Sequence, residues 1–186
     1  MKTVLVLAFA AALILPGCAS NKPSVPDQRD SILKMRDETL TELYKTKPDT
    51  RDKIAKAPGY AVFSTYGLTV VFVGGAGGKG VAVDNQTKKE TFMEEGSASV
   101  GIGLGGTEVR TVFIFNDAQA FDNFVNKGWE FDAQGQVQAQ SGEKGGAKSD
   151  ATSFNKSIEV YQLGKNGLMA QATVGGTKFW KDKALN

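Results

Sequence analysis

Apolar positions repeat with two different periods along the chain, and the change from one to the other falls at Gly59. Between Gln28 and Lys45, residues Ile32, Leu33, Leu40, Leu43 and Tyr44 lie on one side of a 3.6-residue wheel with Met35 at its edge. That pattern predicts an amphipathic helix. Arg29 and Arg36 project near the same side, so each charge has to reach the rim or find a carboxylate. A core-facing helix is expected, with a membrane-facing one as the alternative. A shorter helix is predicted from Thr50 to Ala57, capped by Asp49 or Thr50 and stopped at Pro58-Gly59.

Beyond Gly59 the period is two. Tyr60 to Tyr66, Thr69 to Val73, Gly80 to Val83, Lys89 to Met93, Ala98 to Gly105 and Arg110 to Phe115 are short β-branched and aromatic runs, separated by residues that favour turns. Asp84-Asn85-Gln86-Thr87 suits a hairpin connection. A helix is expected from Asp117 to Asn126, capped by Asn116 or Asp117, with Ala118, Phe121, Phe124 and Val125 on its buried side. Ser141 to Asp150 is polar and glycine-rich and reads as a loop. Ser157 to Leu163 and Leu168 to Val174 flank Gly164-Lys165-Asn166-Gly167, a clear hairpin signal, and Thr177 to Lys181 forms a last strand. Short strands with helices gathered mainly at the N-terminus predict an α+β domain built on an antiparallel sheet, barrel-like or sandwich-like.

The first residues follow neither period. Lys2, an apolar run from Val4 to Leu15 and then small residues have the build of a secretory signal, too short to span a bilayer. The run ends Leu15-Pro16-Gly17-Cys18, which resembles the lipobox of bacterial lipoproteins. The resemblance implies cleavage before Cys18, a diacylglyceryl group on its sulfur and an acylated amine. Ala19 resembles the signal for export to the outer membrane, with the domain held on its periplasmic face. The chain then divides into residues 1–17 as signal, 18–27 as an anchored tether and 28–186 as a single domain. Since two or more acyl chains hold a protein firmly on a membrane, attachment needs no help from the domain itself.

Composition narrows the chemistry. The chain has no histidine and Cys18 is its only cysteine, so the commonest general base, zinc-thiolate sites and disulfides are excluded. No metal and no cofactor is expected, and no enzymatic activity. The carboxylates Glu94-Glu95 and Asp117 read more simply as a turn and a helix cap. Without Lys2 the charged residues number 21 basic and 20 acidic, a balance that gives nucleic acid no purchase.

Ten of the 33 residues from Gly74 to Gly106 are glycine. Gly74, Gly75, Gly77, Gly78 and Gly80 form one block, and Gly101, Gly103, Gly105 and Gly106 another. Both contain the spacing G-x-G-x-x-G, but neither leads from a strand into a helix, so nucleotide binding by that route is not expected. In the second block Gly101, Gly103 and Gly105 share one face of a strand. Such a bare face admits close packing of another element, or a ligand groove.

These residues resemble a known family. Ala57-Pro58-Gly59-Tyr60-Ala61-Val62-Phe63, the blocks Gly74 to Val81 and Ser99 to Gly106, Val112-Phe113-Ile114-Phe115-Asn116, Ala120-Phe121, Val160-Tyr161 and Lys165 to Ala170 are similar, in that order, to the SYLF domain. The likeness covers roughly residues 28 to 182. Eukaryotic members bind phosphoinositides, in part through an N-terminal amphipathic helix, and some bind actin, which has no obvious use in a bacterial envelope. The resemblance implies a non-enzymatic, lipid-anchored domain that contacts anionic phospholipid. The candidate lipid-binding residues are Lys34, Arg36, Arg51, Lys53 and Lys56 of the first two helices, with Phe179 and Trp180 at an apolar surface. The alternative for those two rings is a strand that closes the core. The alternative function is a scaffolding module that binds an envelope protein or cell-wall polymer.

Overall fold

The computed structural model describes residues 23–130, 152–155, 157–164, 167–168 and 177–186. Cys18, the expected signal, most of the tether and the loop from Ser141 to Asp150 lie outside them.

The six short runs between Tyr60 and Phe115 are two long strands. β1 (Gly59–Asp84) and β2 (Glu90–Phe115) each hold 26 residues and pair antiparallel from Gly59↔Phe115 to Val83↔Glu90, with a register shift between Val71 and Val73. The sequence reading breaks these strands at glycines, because glycine is depleted in strands. Here the glycines stay in the ladder. Glu94 and Glu95, read as a turn, sit within β2.

A straight strand of 26 residues would run roughly 85 Å at about 3.3 Å per residue, far beyond a domain of this size. The hairpin instead folds back on itself. Asn85, at its turn, donates its backbone N–H to the Pro58 carbonyl at its root (2.9 Å), and its side-chain amide donates to the carbonyls of Ile54 and Ala57 (2.6 and 2.8 Å). The turn carries the side-chain-to-backbone bonding expected of it, with Asp84 Oδ1 accepting from the backbone of Gln86 and Thr87. At the crossing the two arms of β1 meet backbone to backbone. A Cβ at Gly78 would collide with the Ser64 carbonyl oxygen, and one at Gly80 with the Val62 carbonyl and the Phe63 ring.

The remaining strands extend this hairpin. β2 pairs through residues 110–115 with β5 (Ile158–Gly164) and through 93–97 with β7 (Thr177–Lys181). β3 (Trp129–Glu130) adds to β7, while β4 (Thr152–Asn155) and β6 (Gly167–Leu168) add to β5. The result is a seven-stranded antiparallel sheet that is bent but not closed, in an α+β domain. Gly167, at φ +98°, ends the expected hairpin turn, and Leu163 pairs Leu168 across it.

Period-two alternation sorts the side chains into two layers. Ala61, Phe63, Phe113, Phe115, Ile158 and Val160 join Ala82, Met93 and Phe179 in an inner cluster, closed by Phe124 and Val125 of α3 (Ala118–Lys127). Its rings pack edge-on and tilted, with Phe63 and Phe179 centroids 4.9 Å apart. On the opposite face Val62, Val112, Ile114, Tyr161 and Leu163 meet Leu40 and Leu43 of α1 (Val25–Thr46) and Ile54 of α2 (Asp49–Lys56). A third cluster joins Ile32 of α1 to Val81, Val83, Phe92 and Leu185. α1 therefore faces the sheet with its apolar side, the expected core-facing arrangement.

Helix ends differ in detail from the sequence reading. α1 starts at Val25, ahead of Gln28, because Ser24 and Asp27 form a capping box that the apolar period does not reveal. α2 runs from Asp49 to Lys56 with Pro48 in the cap position and no side-chain cap, so neither Asp49 nor Thr50 caps it. Thr50 instead donates to the Lys47 carbonyl (2.6 Å). α3 begins after Asp117, which accepts from the Gln119 N–H (2.9 Å) as a cap should. Phe121 and Ala120 support the core there, whereas Ala118 is exposed.

Candidate functional site

The bend in the hairpin opens a groove of about 920 Å³ between the first half of α1 and the crossing of β1 and β2. Ile32 and Met35 of α1 give it an apolar side, Tyr66 of β1 and Trp180 of β7 stand at it, and Glu95 lines it beside Gly77 and Gly78. Among the described residues the large hydrophobic side chains left exposed are Val25, Tyr66 and Trp180, and the two aromatic ones both border this groove. Trp180 donates its indole N–H to Glu94 (2.8 Å), which fixes the ring against the strand.

Two cations of the groove wall are each shared by two carboxylates. Lys79 donates to the buried Asp182 (2.6 Å) and lies 3.4 Å from Glu94. Arg110 reaches Glu108 (3.2 Å) and Glu38 (3.6 Å). Asp27 is spent on the cap of α1. Lys34 is exposed at the rim and has no ion-pair partner among the described residues.

Glu95 is the exception. It is 5% exposed and faces no cation among the described residues; the Thr65 hydroxyl donates to its Oε1. Among the described residues Oε2 accepts no bond, and since no side-chain oxygen is both buried and unpartnered, Oε2 opens on the groove. Burial without a compensating charge pushes the carboxyl up to about 7. Sequence reasoning takes Glu94-Glu95 as a turn and misses this residue. The usable signal is alternation: Met93 and Glu95 fall on the same face of one strand, and Met93 is core.

The candidate lipid-binding residues do not come together as one basic surface. Lys34, Arg51 and Lys56 are exposed, Arg51 with its guanidinium over the Tyr44 ring. Arg36 is held by Glu90 (2.6 Å) and Asp37 (2.8 Å), and the other arginine of that side, Arg29, donates to the Leu185 carbonyl. Lys53 is held by Glu159 (2.8 Å), which also accepts from Tyr161 (2.9 Å). Burial would raise the Glu159 carboxyl, but hydrogen bonds from Lys53, Tyr161 and Asn116 outweigh it and hold the group low. Burial also helps push the Tyr161 hydroxyl up to about 12. Phe179 is fully buried in the inner cluster, the core-closing position, whereas Trp180 is at the surface.

Of the expected structural glycines, Gly78 and Gly80 are required by the crossing, while a Cβ at Gly75 or Gly77 would make only ordinary contacts at 3.7 Å. Gly103 and Gly105 pair with Val71 and Thr69; what their bare face meets lies outside the described side chains, as it does for Gly101 and Gly74. Among the described residues no cluster of three or more acidic, cysteine or histidine side chains could hold a metal ion, and no helix is long and apolar enough to cross a membrane.

Fold and groove together define the class: an α+β domain in which one bent, glycine-rich hairpin supplies the middle of the sheet. No family model matches the chain. Over 165 residues it is 33% identical to beta cell expansion factor A of Aeromonas veronii, a likeness that covers 89% of this chain. The chain spans 61% of the length of that curated relative. At a coarse level the likeness supports a SYLF-type family.

Proposed function

We propose that this is a non-enzymatic domain, anchored through an acylated Cys18 at the periplasmic face of a bacterial outer membrane, that contacts phospholipid. The observation that carries the reading is the concentration of exposed rings on one groove. Tyr66 and Trp180 border it with Ile32 and Met35, and Lys34 at its rim has no ion-pair partner among the described residues. Amphipathic rings beside apolar side chains suit a boundary between acyl chains and water, and a rim cation suits the anionic phosphate of a head group. The contact is thus assigned to the groove rather than to the row Arg36, Arg51, Lys53 and Lys56.

The test is co-sedimentation of the chain from Ala19 onward, which lacks the anchor, with vesicles at low salt. Retention on mixed phosphatidylethanolamine and phosphatidylglycerol vesicles is expected, and Lys34→Glu should reduce it several-fold. No retention on any phospholipid vesicle would sink the reading. A stoichiometric, detergent-resistant protein partner in envelope extract would favour the scaffolding alternative instead.

A further inference from the structure

The groove has a wall of a different character from its apolar side. Its other charges are already accounted for: Lys79 by Asp182 and Glu94, Arg110 by Glu108 and Glu38, and Asp27 by the helix cap. Lys34 lies at the rim. Among the described residues Glu95 alone is a carboxyl that is nineteen-twentieths buried, faces no cation and has one oxygen open to the groove. A buried carboxyl in that state gains most from a ligand that brings a donor and a positive charge. The ring faces of Tyr66 and Trp180 at the same groove also attract cations.

We propose that the groove is a head-group site for a zwitterionic phospholipid bearing a primary ammonium, with Glu95 Oε2 as the buried acceptor of that ammonium and Lys34 as the partner of the phosphate. The assignment rests on the phospholipid reading above and specifies the head group it selects. It departs from an anionic preference, because a lipid with a negative charge and no ammonium leaves Glu95 unpaired and meets repulsion once that group ionises. It also gives the buried carboxyl a purpose, since Thr65 satisfies only one of its two oxygens.

The assignment is tested by calorimetric titration of the chain from Ala19 onward with three probes: dihexanoyl-phosphatidylethanolamine, dihexanoyl-phosphatidylglycerol and free ethanolamine. The ethanolamine lipid should bind at least about tenfold more tightly than the glycerol lipid at pH 8. Its affinity should rise between pH 6 and pH 8, as Glu95 ionises opposite the bound ammonium. Glu95→Gln, close in shape to the protonated side chain, should abolish both the preference and the pH dependence, and should tighten binding of the glycerol lipid at pH 8 by removing the repulsion. Equal affinity for the two lipids, a preference for the glycerol lipid, or discrimination unchanged in Glu95→Gln would overturn the proposal while leaving phospholipid contact intact. Binding of free ethanolamine as tight as the lipid would overturn the lipid as the source. If neither lipid binds, the underlying phospholipid reading is what fails, and this assignment falls with it.

Discussion

Glu95 couples the groove to the stability of the fold. Its carboxyl titrates near 4.5 in an unfolded chain and at about 7 in the folded one, because burial disfavours the ion. The folded state therefore holds this proton more tightly. The stability it contributes is complete below pH 4.5 and is lost as pH rises through about 7. At about 1.4 kcal/mol per pKa unit the loss is about 3 kcal/mol. The comparison that isolates Glu95 is urea unfolding of the native chain against Glu95→Gln from pH 4.5 to 8. The native chain should lose about 3 kcal/mol relative to the variant; parallel curves would show that the group is solvated in the fold. Asp117 caps a helix because a short acceptor precedes an apolar 3.6-residue run, and Asp84 supports its turn by contacts two and three residues away.

At the scale of elements, the bend of β1 makes the glycine blocks intelligible. Their local chemistry suggests interruptions, yet the ladder runs through them and the interruption is one register shift at Val71 to Val73. Two of the glycines are there because backbone meets backbone. Gly78→Ala or Gly80→Ala forces a methyl group against a carbonyl of the opposite arm, and each should cost about 1–3 kcal/mol, the usual range for overpacking. Gly77→Ala should change stability by no more than about 1 kcal/mol, since its Cβ would meet only the Glu95 carbonyl at 3.7 Å. Thermal unfolding of the three variants side by side provides the check, and an equal effect at all three would mean that the arms do not touch as described. The short strands β3 and β4 had no counterpart in the sequence reading. Two to four residues carry too little periodicity to be seen.

For the whole molecule, the C-terminal turn fastens the bent sheet to the first helix. Asp182 accepts from the backbone of Ala184 and Leu185 while its other oxygen holds Lys79. Asn186 exchanges side-chain hydrogen bonds with the backbone of Phe92, and Arg29 of α1 closes on the Leu185 carbonyl. Leu185, fully buried among Ile32, Val81, Val83 and Phe92, is the apolar centre of this arrangement. Leu185→Ala should lower stability by about 2–5 kcal/mol, the range for a buried leucine, with an unchanged dependence on urea if folding stays two-state. A loss below about 1 kcal/mol would show that the C-terminus frays from the body of the domain.

The α+β class, the three helices, the strands β5 and β7 and the two hairpin turns are legible in the chain alone, because period and turn chemistry act over a few neighbouring positions. Contacts across the fold settle that six runs make two bent strands, that Phe179 is core while Trp180 is surface, that Arg36 and Lys53 are neutralised by Glu90 and Glu159, and that Glu95 is buried beside a groove. Each of these depends on residues tens of positions apart being brought into contact. Burial and charge pairing are properties of such contacts, and no local pattern carries them.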